Sequence, residues 1–194
     1  MKPGKNSSPE TVYFCRIACS LGPVLMTSQG GCLTGLWFNG QRHAPAIAAH
    51  WIQDKAQGPF DQALDQLQAY AAASLRVFKL PLALHGTRFQ QRVWNALLDI
   101  AFGSTVSYAQ LARAIGAPNA QRAVGAAVGR NPVSVIVPCH RVLGSDGSLT
   151  GYAGGLARKQ ALLAHEGVFS AGLLSEPGAL SFGPDRPGVC LAAA

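Results

Sequence analysis

The chain has 194 residues, of which 48% are hydrophobic and 13% are charged, and its formal net charge is +7 at pH 7. These values indicate a folded globular protein with one large or two small domains, and the basic balance favours nucleic acid over acidic proteins as a partner. The N-terminal stretch MKPGKNSSP lacks the apolar core of a secretory signal, and no apolar stretch has membrane-spanning length.

The first part of the chain has the pattern of a small α/β unit. Three extended segments, separated by glycine-containing turns, predict a short antiparallel sheet over residues 12–18, 24–28 and 32–38. Residues 61–75 predict a helix, because Leu64 and Leu67 recur on one face. We therefore predict an N-terminal α/β domain over residues 1–80, followed by a linker over residues 81–86.

The next segment has the pattern of a helix-turn-helix. Ser107 and Gln110 form a capping box that begins one helix, and Asn119 is the predicted N-cap of a second helix over residues 120–129. The second helix consists almost entirely of small residues, so it can approach another surface closely, and Arg122 lies in its first turn. Such a helix can enter a DNA groove, although an ordinary αα-hairpin explains the pattern equally well.

A single thiol follows this pattern. The β-branched run over residues 133–137 predicts a buried strand, and Pro138 ends it, which places Cys139 at a strand exit. A basic neighbourhood makes a thiol nucleophilic, and His140 and Arg141 come next in the sequence. The alternative is a buried cysteine that serves only as a small apolar side chain.

The segment after the thiol predicts a wing and a closing helix. Asp146-Gly147 favours the tight turn of a hairpin, and a helix should run from Leu156 to Glu166. Over residues 107–169 the basic side chains are Arg113, Arg122, Arg130, Arg141, Arg158 and Lys159, opposed by Asp146 and Glu166. Such a positive stripe fits a polyanionic partner. The glycine- and proline-rich residues 170–194 predict a flexible tail.

These motifs together resemble the O6-alkylguanine-DNA alkyltransferase family. The resemblance extends over residues 87–168 and rests on Asn131-Pro132, Pro138-Cys139-His140-Arg141-Val142, Tyr152-Ala153-Gly154-Gly155-Leu156 and Ala164-His165-Glu166-Gly167, with Phe89-Gln90 and Val93-Trp94 in the opening helix. It implies a mostly α-helical, winged helix-turn-helix domain over residues 87–169 that binds DNA and carries the active site.

The family's activity is direct DNA repair. The resemblance implies that an alkyl group moves from O6 of guanine, with O4 of thymine as a second candidate, to Cys139, and that each chain reacts once. An enclosed thiol requires the base to be flipped out of the duplex. The arginine matching Arg122 then fills the vacated stack, and the tyrosine matching Tyr108 rotates the nucleotide and hydrogen-bonds purine N3. Entry is from the minor groove. The remaining predicted DNA-binding residues are Ala123, Gly125 and Arg130.

The resemblance also implies how the thiol is activated. His140 acts as a base on Cys139 through a water molecule, Glu166 orients His140, and Asn131 braces the turn. The implied substrate pocket comprises Pro138, Val142, Tyr152 and Ala153. The family often has serine at the position of Ala153, so here only the backbone N–H can reach O6 from that position.

The predicted partner is double-stranded DNA containing O6-alkylguanine, bound by a monomer that needs no cofactor, metal or membrane. A structural zinc hypothesis rests on Cys15, Cys19, Cys32, His43 and His85. The spacing lacks a compact Cys-x-x-Cys motif, so we predict no metal. Five cysteines, an odd number, argue against a complete disulfide framework and predict a reducing compartment, the cytoplasm or a eukaryotic nucleus.

Two other functions were weighed against alkyl transfer. A cysteine hydrolase would use the same Cys139–His140 pair, but it would turn over, would need an oxyanion hole and would leave the helix-turn-helix unexplained. A winged-helix regulator would account for the DNA-binding features, but it has no use for an enclosed thiol beside His140.

Overall fold

The computed structural model describes residues 11–168. The strands are β1 (Tyr13–Cys19), β2 (Gly22–Gln29), β3 (Cys32–Phe38), β4 (Ile52–Gln53), β5 (Val106–Ser107) and β6 (Val142–Leu143). The helices are α1 (Phe60–Ala71), α2 (Arg88–Leu98), α3 (Tyr108–Ala114), α4 (Gln121–Gly129) and α5 (Leu156–His165). None of these helices is long and apolar enough to cross a membrane. The predicted tail over residues 170–194 lies outside the described residues.

The N-terminal sheet confirms the predicted antiparallel arrangement. Its strand order is β3-β2-β1-β4. Gly30 and Gly31 both adopt positive φ in the turn between β2 and β3, a conformation that glycine tolerates without steric cost. The short strand β4 pairs in parallel with β1 and was not predicted. Both of its residues are exposed, so it has no apolar alternation to detect.

Helix α1 covers the sheet with an apolar face. Phe60, Ala63, Leu67 and Tyr70 are buried along it, at the spacing of one helix face. The helix ends at Ala71, four residues before the predicted end. Ala73 has a φ of 58°, so the chain has left the helical conformation there.

The predicted linker pairs with the sheet. The Leu33 N–H donates to the Pro81 carbonyl at 2.8 Å, and the Ala83 N–H donates to the Leu33 carbonyl at 3.0 Å. Leu82 is fully buried, and one hydrophobic core continues from the sheet into the helical part of the chain. The domain boundaries themselves stay a prediction.

Helices α3 and α4 form the predicted helix-turn-helix. The capping box of Ser107 and Gln110 begins α3, as expected. The predicted N-cap of α4 is wrong: Ala120 is the residue before the helix, and no side chain caps it. Asn119 lies one residue too early. Helix α2 holds α4 in place, because the Trp94 indole N–H donates to the Ala127 carbonyl at 2.9 Å.

The buried strand predicted over residues 133–137 does not form. Val135 has a φ of 70°, and the segment satisfies its own backbone in tight turns, with the Val137 N–H donating to the Val133 carbonyl at 2.9 Å. Its start docks on β3, where the Ser134 N–H donates to the Leu36 carbonyl at 2.9 Å. A run of apolar β-branched residues indicates that a segment is buried, but a buried segment need not form a strand.

The predicted wing hairpin is also wrong. The turn exists, closed by a 2.9 Å bond from the Gly144 N–H to the Ser148 carbonyl, but no second strand follows it. Strand β6 pairs in parallel with β5 instead. The chain beyond the turn is held by Lys159, whose ammonium donates to the Thr150 carbonyl at 2.7 Å.

Candidate active site and DNA-binding surface

Cys139 begins a 3₁₀ turn, Cys139–Arg141, and is held there by Asn131. The Asn131 amide donates to the Val137 carbonyl at 2.7 Å and to the Cys139 sulfur at 3.0 Å. Its carbonyl oxygen accepts the Val133 N–H at 3.0 Å. One buried side chain therefore bonds both ends of the segment over residues 133–137, which leads to the turn, and contacts the thiol.

Glu166 lies beneath this turn and accepts hydrogen bonds from four residues. Oε1 accepts His140 Nε2 at 2.8 Å, Arg141 Nη2 at 2.9 Å and the Tyr70 hydroxyl at 2.8 Å. Oε2 accepts Arg141 Nε at 2.8 Å and the Gly103 N–H at 3.2 Å. Burial alone would raise the pKa of Glu166, but the bonds from His140 and Arg141 hold it well below its usual value. Glu166 is therefore ionised.

His140 is oriented by this carboxylate. Because an ionised carboxylate only accepts, Nε2 carries the proton and Nδ1 has the free lone pair. Nδ1 is buried and has no hydrogen-bonding partner among residues 11–168. Burial lowers the pKa of His140, although Glu166 opposes this shift, so the ring is neutral at pH 7. Its tautomer and charge are those of a general base.

The thiol itself is protonated at rest. Cys139 is 4% exposed, and burial raises its pKa to about 11, although the Asn131 hydrogen bond and the positive charge of Lys159 act in the opposite direction. A buried thiol of this kind needs a base at the moment of reaction. The next residue along the chain, His140, is the candidate for that base.

Two cations of the predicted positive stripe lie inside the protein, which corrects that prediction. Arg141 spans Glu166 and the Ile100 carbonyl, the latter at 2.6 Å. Lys159 is fully buried and donates to the Val142 carbonyl at 2.5 Å. Burial lowers the pKa of Lys159 to about 8, opposed by the Cys139 charge. Both side chains stabilise the site and are unavailable to DNA.

Tyr70 was missed by sequence reasoning. It lies on the buried face of α1, far from Glu166 in the sequence. Its hydroxyl donates to Glu166 Oε1, so the N-terminal part of the chain also supplies a hydrogen bond to this carboxylate. A signal existed: a tyrosine on an otherwise apolar helix face needs a partner for its hydroxyl. The sequence could not identify that partner.

The exposed face of the helix-turn-helix holds the predicted DNA-binding residues. Arg122 and Ala123 are exposed on α4, Arg130 is exposed directly after it, and Gly125 is half-buried. Gly125 faces the ring of Tyr108. A Cβ added at Gly125 would lie 3.8 Å from the nearest ring carbons, which is ordinary van der Waals contact. The Tyr108 hydroxyl donates weakly to the Thr150 and Gly151 carbonyls, both at 3.4 Å.

A cavity of about 420 Å³ opens beside this face. Its lining includes Tyr108, Gly125, Arg130, Tyr152 and Ala153. Burial raises the pKa of both Tyr108 and Tyr152, and the negative charge of a Cys139 thiolate adds to each shift. Both rings pack against the hydrophobic core that includes Cys139. Pro138 and Val142, also predicted for the pocket, are buried on either side of the 3₁₀ turn.

The residues of the zinc hypothesis do not assemble. Residues 11–168 contain no group of three or more histidine, cysteine or acidic side chains placed to hold a metal. Cys19 donates its thiol to the Gly22 carbonyl at 3.0 Å, and Cys15 is buried with its pKa raised to about 11 by burial.

The fold and this geometry define a class of protein: a helix-turn-helix DNA-binding protein with an enclosed, base-assisted thiol. A family model described as the DNA-binding domain of 6-O-methylguanine DNA methyltransferase matches residues 88–168. The methylated-DNA–protein-cysteine methyltransferase of Mycobacterium tuberculosis is 49% identical over 152 residues, covering 78% of this chain and 90% of that protein. Its counterpart from Methanosarcina barkeri is 45% identical over 78% of this chain and 95% of its own length.

Solved structures agree with these sequence relatives. The crystal structure of Mycobacterium tuberculosis OGT in complex with DNA superposes with a TM-score of 0.73 at 48% identity, covering 79% of this chain and 92% of that one. The chain therefore belongs to the methylated-DNA–protein-cysteine methyltransferase family. It is a DNA-repair enzyme that transfers an alkyl group from DNA to a cysteine of the protein, as the sequence predicted. The hydrolase and regulator alternatives are set aside.

Proposed function

We propose that Cys139 accepts the alkyl group from O6-alkylguanine, with His140 as general base and Glu166 as its positioning residue. Two contacts at one buried turn carry this proposal: the Asn131 amide donates to the Cys139 sulfur at 3.0 Å, and the ring of the next residue, His140, lies 2.8 Å from Glu166 Oε1. The roles of these residues rest on that geometry and on the neutral state of His140.

The proposed reaction begins with proton transfer. Nδ1 of His140 takes the Cys139 proton through a bridging water, and Glu166 stabilises the resulting imidazolium. The thiolate attacks the alkyl carbon, a C–S bond forms, and the C–O6 bond breaks with its electron pair leaving on guanine. A hydrogen bond from the Tyr108 hydroxyl to N3 would disperse that charge. The thioether product has no good leaving group, so each chain reacts once.

The proposed DNA complex uses the exposed face of α4. The small side chains at Ala123 and Gly125 allow close approach to the minor groove, and Arg122 would fill the stack left by the flipped base. The flipped purine would enter the cavity beside Tyr152, where the Ala153 N–H makes no hydrogen bond with any described residue and can donate to O6. The Mycobacterium tuberculosis relative, whose structure is a complex with DNA, supports DNA binding.

We further propose that the protein acts as a monomer in the cytoplasm. Of the described cysteines, Cys15, Cys19 and Cys139 are free thiols, which suits a reducing compartment, whereas Cys32 is disulfide-bonded. Sedimentation of the protein with and without duplex tests the oligomeric state, and a stable dimer in both conditions would contradict it.

The test of acceptor and stoichiometry is reaction with excess O6-methylguanine duplex followed by intact-protein mass spectrometry and peptide mapping. One methyl group per chain is expected, located on Cys139. Cys139→Ala should abolish transfer and keep DNA binding, whereas the control Cys19→Ala should react fully. Repeated turnover, or a methyl group mapped to another cysteine, would overturn the assignment.

A further inference from the structure

The cavity beside α4 has a second wall, which comes from the N-terminal part of the chain. Arg42 and His43, in the loop after β3, line it together with Arg130, which directly follows α4, and with Tyr108 and Tyr152. The roles proposed above use only the wall that follows Thr87. They leave the N-terminal wall without a function.

The loop that carries Arg42 is fixed in place by the pocket. The Arg42 N–H donates to the Ala153 carbonyl at 3.0 Å. The preceding Gln41 is buried, and its side-chain oxygen accepts the Phe38 N–H at 3.2 Å and the Ser134 hydroxyl at 3.0 Å. The loop is therefore hydrogen-bonded both to the substrate pocket and to the segment that leads to Cys139. Because its backbone is already ordered, a DNA contact made by this loop loses little backbone entropy.

The side chain of Arg42, in contrast, is uncommitted. It is exposed, and it makes no hydrogen bond or ion pair with any described residue. Other arginines near the site are engaged: Arg141 pairs with Glu166, and Arg158 donates to the Gly154 carbonyl at 2.6 Å and lies over the Phe38 ring. Among residues 11–168, no carboxylate lines the cavity, whereas two guanidinium groups do.

We infer that Arg42 binds a DNA phosphodiester next to the flipped nucleotide, so that the N-terminal part of the chain takes part in DNA binding. A guanidinium favours a phosphate because its planar donors match the phosphate oxygens. Arg130, on the opposite wall, gives the cavity a second positive charge. The phosphate on the flipped nucleotide's own strand is the anion that enters this cavity when α4 occupies the groove. This inference rests on the proposed function.

Salt dependence of duplex binding tests the inference, measured with Cys139→Ala chains so that no transfer occurs. Neutralising one phosphate contributes about 0.9 to the slope of log K against log salt concentration. Arg42→Ala should therefore lower the slope by about that amount, and Arg42→Lys should restore it because the charge returns. The matched control is Arg16→Ala, which removes an equally exposed arginine from β1, outside this cavity, and should leave the slope unchanged.

A second measurement separates a phosphate contact from a change in the pocket. With Cys139 intact, Arg42→Ala should slow methyl transfer from the duplex several-fold but leave reaction with the free modified base unchanged, since that base carries no phosphate. An Arg42→Ala slope equal to that of Arg16→Ala, or equal loss on duplex and free base, would overturn the inference alone. Failure of the wild-type chain to methylate Cys139 would instead overturn the proposed function.

Discussion

The Cys139 site and the recognition helix α4 belong to one short stretch of chain, yet they use opposite environments. At the site, His140, Arg141 and Glu166 are buried, and every charge has a partner. On α4, the Arg122 side chain is exposed and makes no hydrogen bond or ion pair with any described residue. The comparison shows why each environment suits its task. Burial sets the protonation states of the titratable side chains at the site, whereas exposure leaves the Arg122 cation available to DNA. Substitutions in the two regions should therefore affect different measurements.

The largest effect is expected from Glu166→Gln. Removing this carboxylate leaves the buried Arg141 cation without its counter-ion, which costs about 3–5 kcal/mol of folding free energy. The orientation of His140 is lost too, so methyl transfer should fall by roughly 10²–10⁴-fold. Urea unfolding and single-turnover kinetics measure the two effects. The control is Asp146→Asn, which changes an exposed residue within a local turn. It should alter the folding stability and the rate of methyl transfer far less.

The same carboxylate gives a pH test of stability. The pKa of Glu166 is held below its ordinary value of 4.5, so the unfolded chain binds more protons than the folded chain in acid. Its contribution is therefore full above pH 4.5 and is lost as the pH falls below that value. The difference in free energy of unfolding between wild type and Glu166→Gln should therefore become smaller as the pH falls below 4.5. A difference that stays constant with pH would contradict the hydrogen bonds assigned to Glu166.

The next effect concerns thiol reactivity. Because the pKa of Cys139 is raised to about 11, its thiolate fraction increases with pH throughout the neutral range. Reaction with a small alkylating reagent should accelerate by about tenfold per pH unit below that pKa. Peptide mapping isolates Cys139 from the other thiols. A plateau at neutral pH would show that the resting thiol is already ionised and that the site does not need His140 as a base.

A smaller effect is expected from Tyr70→Phe. The ring contacts with Phe78 and Phe102 remain, and only the hydroxyl bonded to Glu166 is removed, so stability should fall by about 1.5–3 kcal/mol. Because Tyr70 shares Oε1 with His140, its removal should also shift the pH profile of methyl transfer. Tyr13→Phe, on the half-buried start of β1, is the control and should leave that profile unchanged. A stability loss without a shift would mean that Tyr70 only packs.

The smallest expected effect is on the exposed side. Arg122→Ala should slow repair of duplex O6-methylguanine by about tenfold, equivalent to about 1.4 kcal/mol, and leave the free modified base unaffected. The loss should persist at low salt and shrink when the lesion lies opposite an abasic site, because unstacking then costs less. Equal loss on duplex and free base would remove Arg122 from base flipping. Folding stability should not change, in contrast to Glu166→Gln.

Local rules predicted the elements whose determinants are close in sequence. The capping box of Ser107 and Gln110 and the glycine turns of the sheet form as expected. Helix α1 also forms, but its buried face is rotated from the predicted one, since Leu67 is buried and Leu64 is only half-buried. The same rules failed over residues 133–137 and at the predicted wing. There, the backbone follows partners distant in sequence, Leu36 in one case and Lys159 in the other.

The sequence by itself determined the family and selected Cys139 as the proposed acceptor, because the motif around Cys139 is contiguous. Only the tertiary structure decided what surrounds that thiol. It turned Arg141 and Lys159 inward, brought Tyr70 from α1 to Glu166, and placed Arg42 beside Ala153. The physical reason is that burial and hydrogen bonding depend on which surfaces meet. Residue type and spacing along the chain do not specify which surfaces come into contact.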